Sequence, residues 1–374
     1  MGLKSNNLVE DKVGGISAID EFLSSDDVFL QDFNKSRKKL TEFLKAIIRH
    51  HINSNPYYAD YCKRMNFNIE EDEFDLNKIP LLPSAIFKND LKFVQSNWDD
   101  SVMLTTSSGT KGTVSQVPRD NTTLMRFFAS VAAGVQEVFE IPQSNLDLYC
   151  LSPKLEEIKH LWISYVITGV SLYFPSKFYV SNDEFKVEQL VSDLRKVDQD
   201  KNGKKIVIIG PPALVLDTTK ELAKTGNLNL LDRCLIVTMG GWKSRQGDIV
   251  ERKELTQRIV EAFGLLNEEY VRDVYNMVEL NTVIFECKHH KKHCPPWLYA
   301  RARNPQNLTV QASGELGILS FADPTAVSYP GFVLSDDFGV VHEQVKCTCG
   351  IVSDIIEIKR RVNKLESRGC ALKI

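Results

Sequence analysis

The sequence predicts an α/β fold in which a parallel sheet is covered by helices on both faces. Two observations carry this reading. Ile206-Val-Ile-Ile-Gly-Pro-Pro212 and Cys234-Leu-Ile-Val-Thr-Met-Gly-Gly241 are near-continuous apolar runs that end in glycine or proline, as strands buried on both faces do. Amphipathic segments separate the runs. Residues 186–197 place Val187, Leu190, Val191 and Leu194 on one face at helical spacing, and residues 214–224 and Arg252–Phe263 read as further helices.

The remaining elements follow in chain order. Residues 20–70 read as helical, with Leu40, Phe43, Leu44, Ile47 and Ile48 forming one apolar stripe. Asn53-Ser-Asn-Pro-Tyr57 then breaks the helix. Residues 72–95 are mixed, punctuated by Pro80 and Pro83. A third short strand is expected over residues 271–278. Beyond residue 310 the pattern changes to short strands, such as 317–321 and 340–341, which suggests a smaller β-rich part. In open α/β sheets ligands bind beyond the carboxyl ends of the strands. That places Gly210, Gly240, Gly241 and the stretch from Tyr275 to Glu279 where a ligand would sit.

Composition narrows the function classes. The net charge of −3 gives no basic field for nucleic acid or an anionic membrane. No apolar run is long enough to span a bilayer, and no basic start precedes an apolar run as in a secretory signal. Eight cysteines in a chain of this length then read as reduced thiols or metal ligands, with a cytoplasmic location expected.

The richest stretch for chemistry is Thr105-Thr-Ser-Ser-Gly-Thr-Lys-Gly-Thr113, with five hydroxyl side chains before Lys111 and glycines at 109 and 112. Hydroxyls and glycine-freed backbone N–H groups suit phosphate oxygens, and Lys111 adds a mobile positive charge. The spacing is not that of a Walker A loop. A second cluster, Cys287-Lys-His-His-Lys-Lys-His-Cys294 with Lys346-Cys-Thr-Cys-Gly350, is rich in soft ligands. Cys287, His293, Cys347 and Cys349 could make a tetrahedral Zn²⁺ site, or could be reduced cysteines beside an exposed basic histidine cluster.

Ser107-Ser-Gly-Thr-Lys-Gly112 resembles the phosphate loop of the adenylate-forming superfamily, and further motifs follow in that superfamily's order. Met239-Gly-Gly-Trp-Lys243 resembles the glycine-rich segment that lies against adenine. Asp273-Val-Tyr-Asn-Met-Val-Glu279 resembles the Asp-x-Tyr-Gly-x-Ser/Thr-Glu motif, with Asn276 in place of glycine and Val278 in place of a hydroxyl residue. Gly314-Glu-Leu-Gly-Ile-Leu319 resembles the segment before the ribose-binding aspartate. Asp337 of Ser335-Asp-Asp-Phe-Gly339 matches that aspartate, although Asp336 replaces a glycine. Ile358-Lys-Arg-Arg-Val-Asn363 resembles the hinge, with Arg361 at the ribose-contacting arginine and Asn363 at the hinge aspartate. Asn53-Ser-Asn-Pro-Tyr57 and Ile79-Pro-Leu-Leu-Pro83 resemble the start of the phenylacetate–CoA ligase branch.

The resemblance implies ATP as substrate, held by Ser107, Ser108, Gly109, Thr110, Lys111 and Gly112, with Gly240, Gly241 and Tyr275 at the adenine. It further implies Mg²⁺ on Glu279 and the ribose on Asp337 and Arg361. Thr110 and Lys111 would stabilise charge on the phosphates. The resemblance divides the chain into a helical region over 1–70, an α/β adenylating core over 71–310, a β-rich subdomain over 311–362 and a mobile tail over 363–374. Superfamily members continue past the hinge with a mobile lid domain of about 100 residues, a common domain size. This chain ends eleven residues after Asn363, so no lid is expected.

The tail carries Cys370, flanked by Arg368, Gly369 and Lys373. Cations beside a thiol raise its thiolate fraction. A superfamily core ending in Glu366-Ser-Arg-Gly-Cys-Ala-Leu-Lys-Ile374 resembles the acyl-protein synthetases of luminous-bacteria fatty-acid reductase complexes. That resemblance implies activation of a long-chain fatty acid to acyl-AMP and transfer to Cys370 as a thioester. It also implies an acyl-CoA-reductase-like reductase subunit and an acyl-transferase subunit as partners. Two alternatives stay open at this point: a CoA ligase of the phenylacetate type, to which Cys370 is irrelevant, and a non-catalytic interaction subunit retaining a decayed nucleotide fold. The acyl pocket is expected near residues 124–170, with His160 a candidate near the acyl carbonyl or simply a surface histidine.

Overall fold

The computed structural model describes residues 10–70, 74–96, 102–107, 114–140, 145–158, 160–200, 203–241 and 250–361, excluding the side chains of 10–16, 360 and 361. The chain opens with helices α1 (Glu10–Leu23), α2 (Phe33–Ser54) and α3 (Pro56–Arg64). All five residues of the predicted α2 stripe are buried, at roughly 1.5–3 kcal/mol each. The break before α3 has a local cause. The Asn55 side chain accepts hydrogen bonds from the Tyr57 and Tyr58 N–H groups, and Pro56 takes the first helical position, where its missing N–H costs nothing.

A short strand β1 (Leu82–Pro83) precedes the hairpin of β2 (Met103–Thr106) and β3 (Gln116–Arg119). Then come α4 (Asn121–Ala133), β4 (Leu146–Cys150), α5 (Trp162–Ser171), β5 (Ser176–Phe178) and a small hairpin of β6 (Val180–Ser181) with β7 (Glu184–Phe185). The predicted alternation follows as α6 (Val187–Gln199), β8 (Lys205–Gly210), α7 (Pro212–Thr225), β9 (Cys234–Met239), α8 (Arg252–Phe263) and β10 (Val271–Tyr275). The last part is all strand: β11 (Ile284–Glu286), β12 (Lys292–His293), β13 (Tyr299–Arg303), β14 (Leu316–Ala322), β15 (Phe332–Lys346) and β16 (Val352–Arg361).

Strands β5, β4, β8, β9 and β10 lie side by side in parallel; β8, β9 and β10 are the strands expected, and β4 and β5 extend the sheet beyond them. Both faces are covered. On β8, Ile206 and Ile208 pack with Leu190 of α6, Val215 and Leu222 of α7, and Ile259 and Phe263 of α8. Val207 and Ile209 point the other way, into a core with Phe127 and Val131 of α4 and Tyr165, Val166 and Val170 of α5. The sheet does not stop at β10. It continues antiparallel through β11, β12, β16, β15 and β14 to β13, giving twelve strands with β1 against β15. The short strand expected at 340–341 is the middle of the fifteen-residue β15. Register shifts at Phe338/Gly339 and His342/Val345 let that long strand bend, and its polar residues break the apolar pattern into apparent fragments. Among the described residues, no helix is long and apolar enough to cross a membrane.

His51 ties the helical region to the sheet end. Its Nδ1 meets the Ser96 hydroxyl at 2.7 Å, and its Nε2 meets the Ala326 carbonyl at 3.1 Å. The ring is fully buried, so desolvation, aided by neighbouring His50, pushes its pKa well below the ordinary value. A pKa lowered on folding means that the unfolded chain takes up the proton first. The resulting stability is complete above about pH 6.5 and declines as pH falls below it, by up to about 1.4 kcal/mol per pH unit for one proton. The urea midpoint is therefore expected to fall between pH 7.5 and 5.5, and less so in His51→Gln. A midpoint independent of pH across that window would contradict this.

Candidate active site

The carboxyl ends of β9 and β10 are level, with Met239 opposite Val274. Gly240 follows with φ +73°, a conformation glycine adopts without strain, and a Cβ on Gly241 would meet nothing within 4 Å. The two glycines thus form an open step beside Tyr275. The strand expected over 271–278 ends at Tyr275 instead. The Asn276 side chain donates to the Leu280 and Thr282 carbonyls, at 3.2 and 2.8 Å, and turns the chain back. Glu279 therefore stands in a turn and is only 6% exposed.

Tyr275 reaches across the sheet end. Its hydroxyl donates to Asp337 Oδ2 at 2.9 Å. Asp337 sits on β15 directly opposite Arg361 on β16, so the hairpin sets the two predicted ribose residues side by side along the backbone. The Asp337 N–H donates to Ser335 Oγ at 3.1 Å, fixing the bend that presents the carboxylate. Asp336, the departure from glycine, faces solvent.

The predicted phosphate loop is the connection between β2 and β3, which pair from Met103↔Arg119 to Thr106↔Gln116. At its root the Ser107 N–H donates to the Ser115 carbonyl at 3.1 Å, and the Ser115 N–H donates to Ser107 Oγ at 3.2 Å. Ser108, Gly109, Thr110, Lys111 and Gly112 lie outside the described residues, as do Trp242, Lys243 and Cys370. His160 is exposed; its carbonyl accepts from the Thr106 N–H.

One residue of the site was not legible in the sequence. Arg119 ends β3 and is fully buried. Its guanidinium donates to Asn281 Oδ1 at 3.1 Å, to the Val278 carbonyl at 2.6 Å, to the Tyr329 hydroxyl at 3.3 Å and, closely, to Thr105 Oγ1. It also stacks over the Trp162 ring, 3.5 Å from its centroid. Desolvation lowers its pKa, opposed by the Tyr329 hydroxyl and the Glu279 and Asp323 carboxylates.

The soft-ligand cluster assembles as the residue types suggested. The ligand atoms of Cys287, His293, Cys347 and Cys349 all lie within 4.8 Å of one another. The Sγ atoms of Cys287 and Cys347 are 3.8 Å apart, and Cys349 Sγ is 3.3 Å from His293 Nε2. A tetrahedron with Zn–S of about 2.3 Å and Zn–N of about 2.05 Å has edges of about 3.8 and 3.6 Å. These separations are far beyond a disulfide bond and close to those of a zinc site. The Ser353 hydroxyl donates to the Asp354 carbonyl and so accepts from His293 Nδ1–H at 2.8 Å, which leaves the Nε2 lone pair facing the sulfurs. Burial pushes the His293 pKa down to about 4, keeping the ring neutral. The tight Cys347-Thr-Cys349 spacing is accommodated by a turn closed by Gly350, φ +99°.

Residues next to this cluster connect it to the Asp273–Glu279 stretch. Lys292, before His293, donates to Asp273 Oδ2 at 2.9 Å and to Glu286 Oε2 at 2.8 Å. Burial opposes ionisation of Glu286, yet hydrogen bonds from His290 and Lys292 and the charges of Lys292 and Arg252 hold its pKa down to about 2. Asp273 opens the motif that contains Tyr275 and Glu279.

Comparison with known proteins places this architecture. The family described as "Acyl-protein synthetase, LuxE" matches residues 5–374. A long-chain-fatty-acid–luciferin-component ligase of Aliivibrio fischeri is 34% identical over 345 residues, spanning 91% of this chain and 89% of that protein. The protein of the same name from Vibrio harveyi is 36% identical over 343 residues, spanning 91% and 88%. Among solved structures, a 2-hydroxyisobutyryl-CoA ligase in complex with 2-HIB-AMP and CoA superposes with a TM-score of 0.69 at 14% identity, spanning 88% of this chain and 69% of that one. At that identity the likeness establishes the fold, which is that of this CoA ligase. The family match and the two curated relatives each span about nine tenths of the chain or more, and the chain belongs to the LuxE acyl-protein synthetase family.

Proposed function

We propose that the chain is an AMP-forming long-chain fatty acid–protein ligase. A fatty-acid carboxylate oxygen attacks the α-phosphorus of ATP, the bond to the bridging oxygen breaks, and pyrophosphate leaves. The Cys370 thiolate then attacks the acyl carbon of the acyl-adenylate, the bond to the phosphate oxygen breaks, and AMP leaves behind a thioester.

The observation that carries this reading is the Tyr275–Asp337 hydrogen bond, which joins a residue at the end of a parallel strand to the predicted ribose carboxylate. Gly240 and Gly241 give the adenine a flat approach. Asp337 and Arg361 would hold the ribose, and Ser107, Ser108, Gly109, Thr110, Lys111 and Gly112 the phosphates. Charge built up on the phosphates during attack would be stabilised by Thr110 and Lys111. Glu279 is a nearly buried carboxylate and would hold Mg²⁺, which when bound neutralises phosphate charge. Cys287, His293, Cys347 and Cys349 would hold a structural Zn²⁺. The proposed organisation keeps a helical region (1–70), an adenylating core (71–310), a β-rich subdomain (311–362) and a tail (363–374) that presents the thiol. The product is a bound thioester, which needs another protein to unload it. The names of the two relatives, luciferin-component ligases, support a luminescence setting; a reductase and an acyl-transferase subunit would be the cytoplasmic partners.

The activation half is tested by isotope exchange between pyrophosphate and ATP. Exchange is expected only when ATP, Mg²⁺ and a long-chain fatty acid are all present. Exchange that is absent, or indifferent to fatty acid, would refute the activation step.

A further inference from the structure

The geometry points to Arg119 as a positioning residue for carboxylate activation, one that locks the root of the phosphate loop and the Glu279 turn into a single register. It rests on the ATP-dependent reading above and adds a residue which that reading does not contain.

A buried arginine is costly unless its donors are satisfied. Here four hydrogen bonds and one stacked ring satisfy it, and the partners come from four separate parts of the chain, Tyr329 among them. Thr105 belongs to β2, two residues before Ser107. Val278 is the residue before Glu279, and Asn281 lies two beyond it. Trp162 begins α5. The guanidinium is planar, and its donors leave in fixed directions. It can therefore hold Thr105 and Val278 at one separation only. Moving either partner breaks a charge-assisted hydrogen bond in a dry environment.

The two departures from the superfamily motif both fall within this network. The residue at 278 lacks a hydroxyl, yet its backbone carbonyl takes the Arg119 Nη2 proton. Asn276, in place of glycine, accepts a hydrogen bond from Trp162 Nε1 while its own amide turns the chain toward Glu279. Arg119 and Asn276 thus grip Trp162 from two sides, one through the ring face and one through the ring edge. The segment from Tyr275 to Glu279 is set jointly by its own Asn276 and by side chains from β3 and α5.

The test compares wild type with Arg119→Lys and Thr105→Val in fatty-acid-dependent pyrophosphate exchange. Arg119→Lys keeps the charge and loses the fork. Thr105→Val keeps the shape and loses the acceptor. Both are expected to lower kcat between about 10- and 100-fold, as loss of a charge-assisted hydrogen bond implies. Half-saturation by Mg²⁺ should rise several-fold, and KM for the fatty acid should stay within about twofold. A purely structural role would lower the amount of folded enzyme and leave the Mg²⁺ dependence of the remainder unchanged. Two results overturn the proposal: a folded Arg119→Lys with wild-type kcat and Mg²⁺ dependence, or, if Arg119→Lys does not fold, a Thr105→Val enzyme with both parameters unchanged. A wild type without exchange would overturn the activation reading itself and this proposal with it.

Discussion

Stripping metal from the Cys287–His293–Cys347–Cys349 cluster is expected to lower the thermal midpoint by about 10 °C. The reasoning starts from placement. Cys347 and Cys349 sit in the turn joining β15 to β16, Cys287 follows β11, and His293 lies in β12. These strands meet only in the antiparallel half, where β12 makes a two-residue contact with β16. A metal would add a cross-link where the pairing is thinnest. An ion that binds only the folded chain at about 1,000 times its dissociation constant stabilises by about 4 kcal/mol. For a large domain each kcal/mol moves the midpoint by roughly 2–4 °C. Purified protein should contain about one equivalent of zinc, and Cys349→Ser should lose both the metal and the added stability. Metal below about 0.2 equivalents, or a chelator that leaves the midpoint unmoved, would contradict the assignment.

How much was legible in the sequence depended on how local each cause is. The bounds of α8 read correctly because its period and its αL cap at Gly264 are both written within a few residues. Strands β8, β9 and β10 of the parallel half were legible for a similar reason, since continuous apolar runs separated by amphipathic helices have few other uses, whereas β4 and β5 were not read. The end of β10 was not legible. Asn276 turns the chain there in an arrangement that Trp162, 114 residues away, helps to hold. Arg119 reads as an ordinary surface cation in Pro-Arg-Asp, and only the fold reveals that it is buried. The continuation of the sheet past β10 rests on pairing between β12 and β16, about 60 residues apart, which no local pattern encodes. The ligand candidates, His293 among them, were read from residue types, and the fold supplies the reason for His293 over His289 and His290: it lies fully buried in β12. His290 instead meets Glu286 Oε1 at 3.0 Å.

The largest chemical effect is expected at the tail. Replacing Cys370 by serine should abolish the covalent acyl-enzyme and leave activation intact. Cys370 stands between Arg368 and Lys373 in the sequence, and serine has no anion comparable to a thiolate near neutral pH. The buried cysteines are poor substitutes. Burial raises the Cys62 thiol to about 11, and those of Cys150, Cys234 and Cys294 are pushed up as well. Cys287, Cys347 and Cys349 would be engaged by the metal of the ligand cluster. A thiol kept protonated and out of solvent, or held on a metal, does not intercept an acyl-adenylate, so the label should report on one position. Fatty-acid-dependent pyrophosphate exchange by Cys370→Ser should remain within about twofold of wild type, since the thiol takes no part in attack on the α-phosphorus.

The most direct measurement incubates wild type and Cys370→Ser with ATP, Mg²⁺ and tritiated tetradecanoate, then separates the protein without thiol reductant. Wild type should carry a label that needs ATP and is released by hydroxylamine, and Cys370→Ser should carry none. A label that persists undiminished in Cys370→Ser, or an unlabelled wild type that converts the fatty acid to acyl-CoA when CoA is added, would contradict transfer to the chain's own tail.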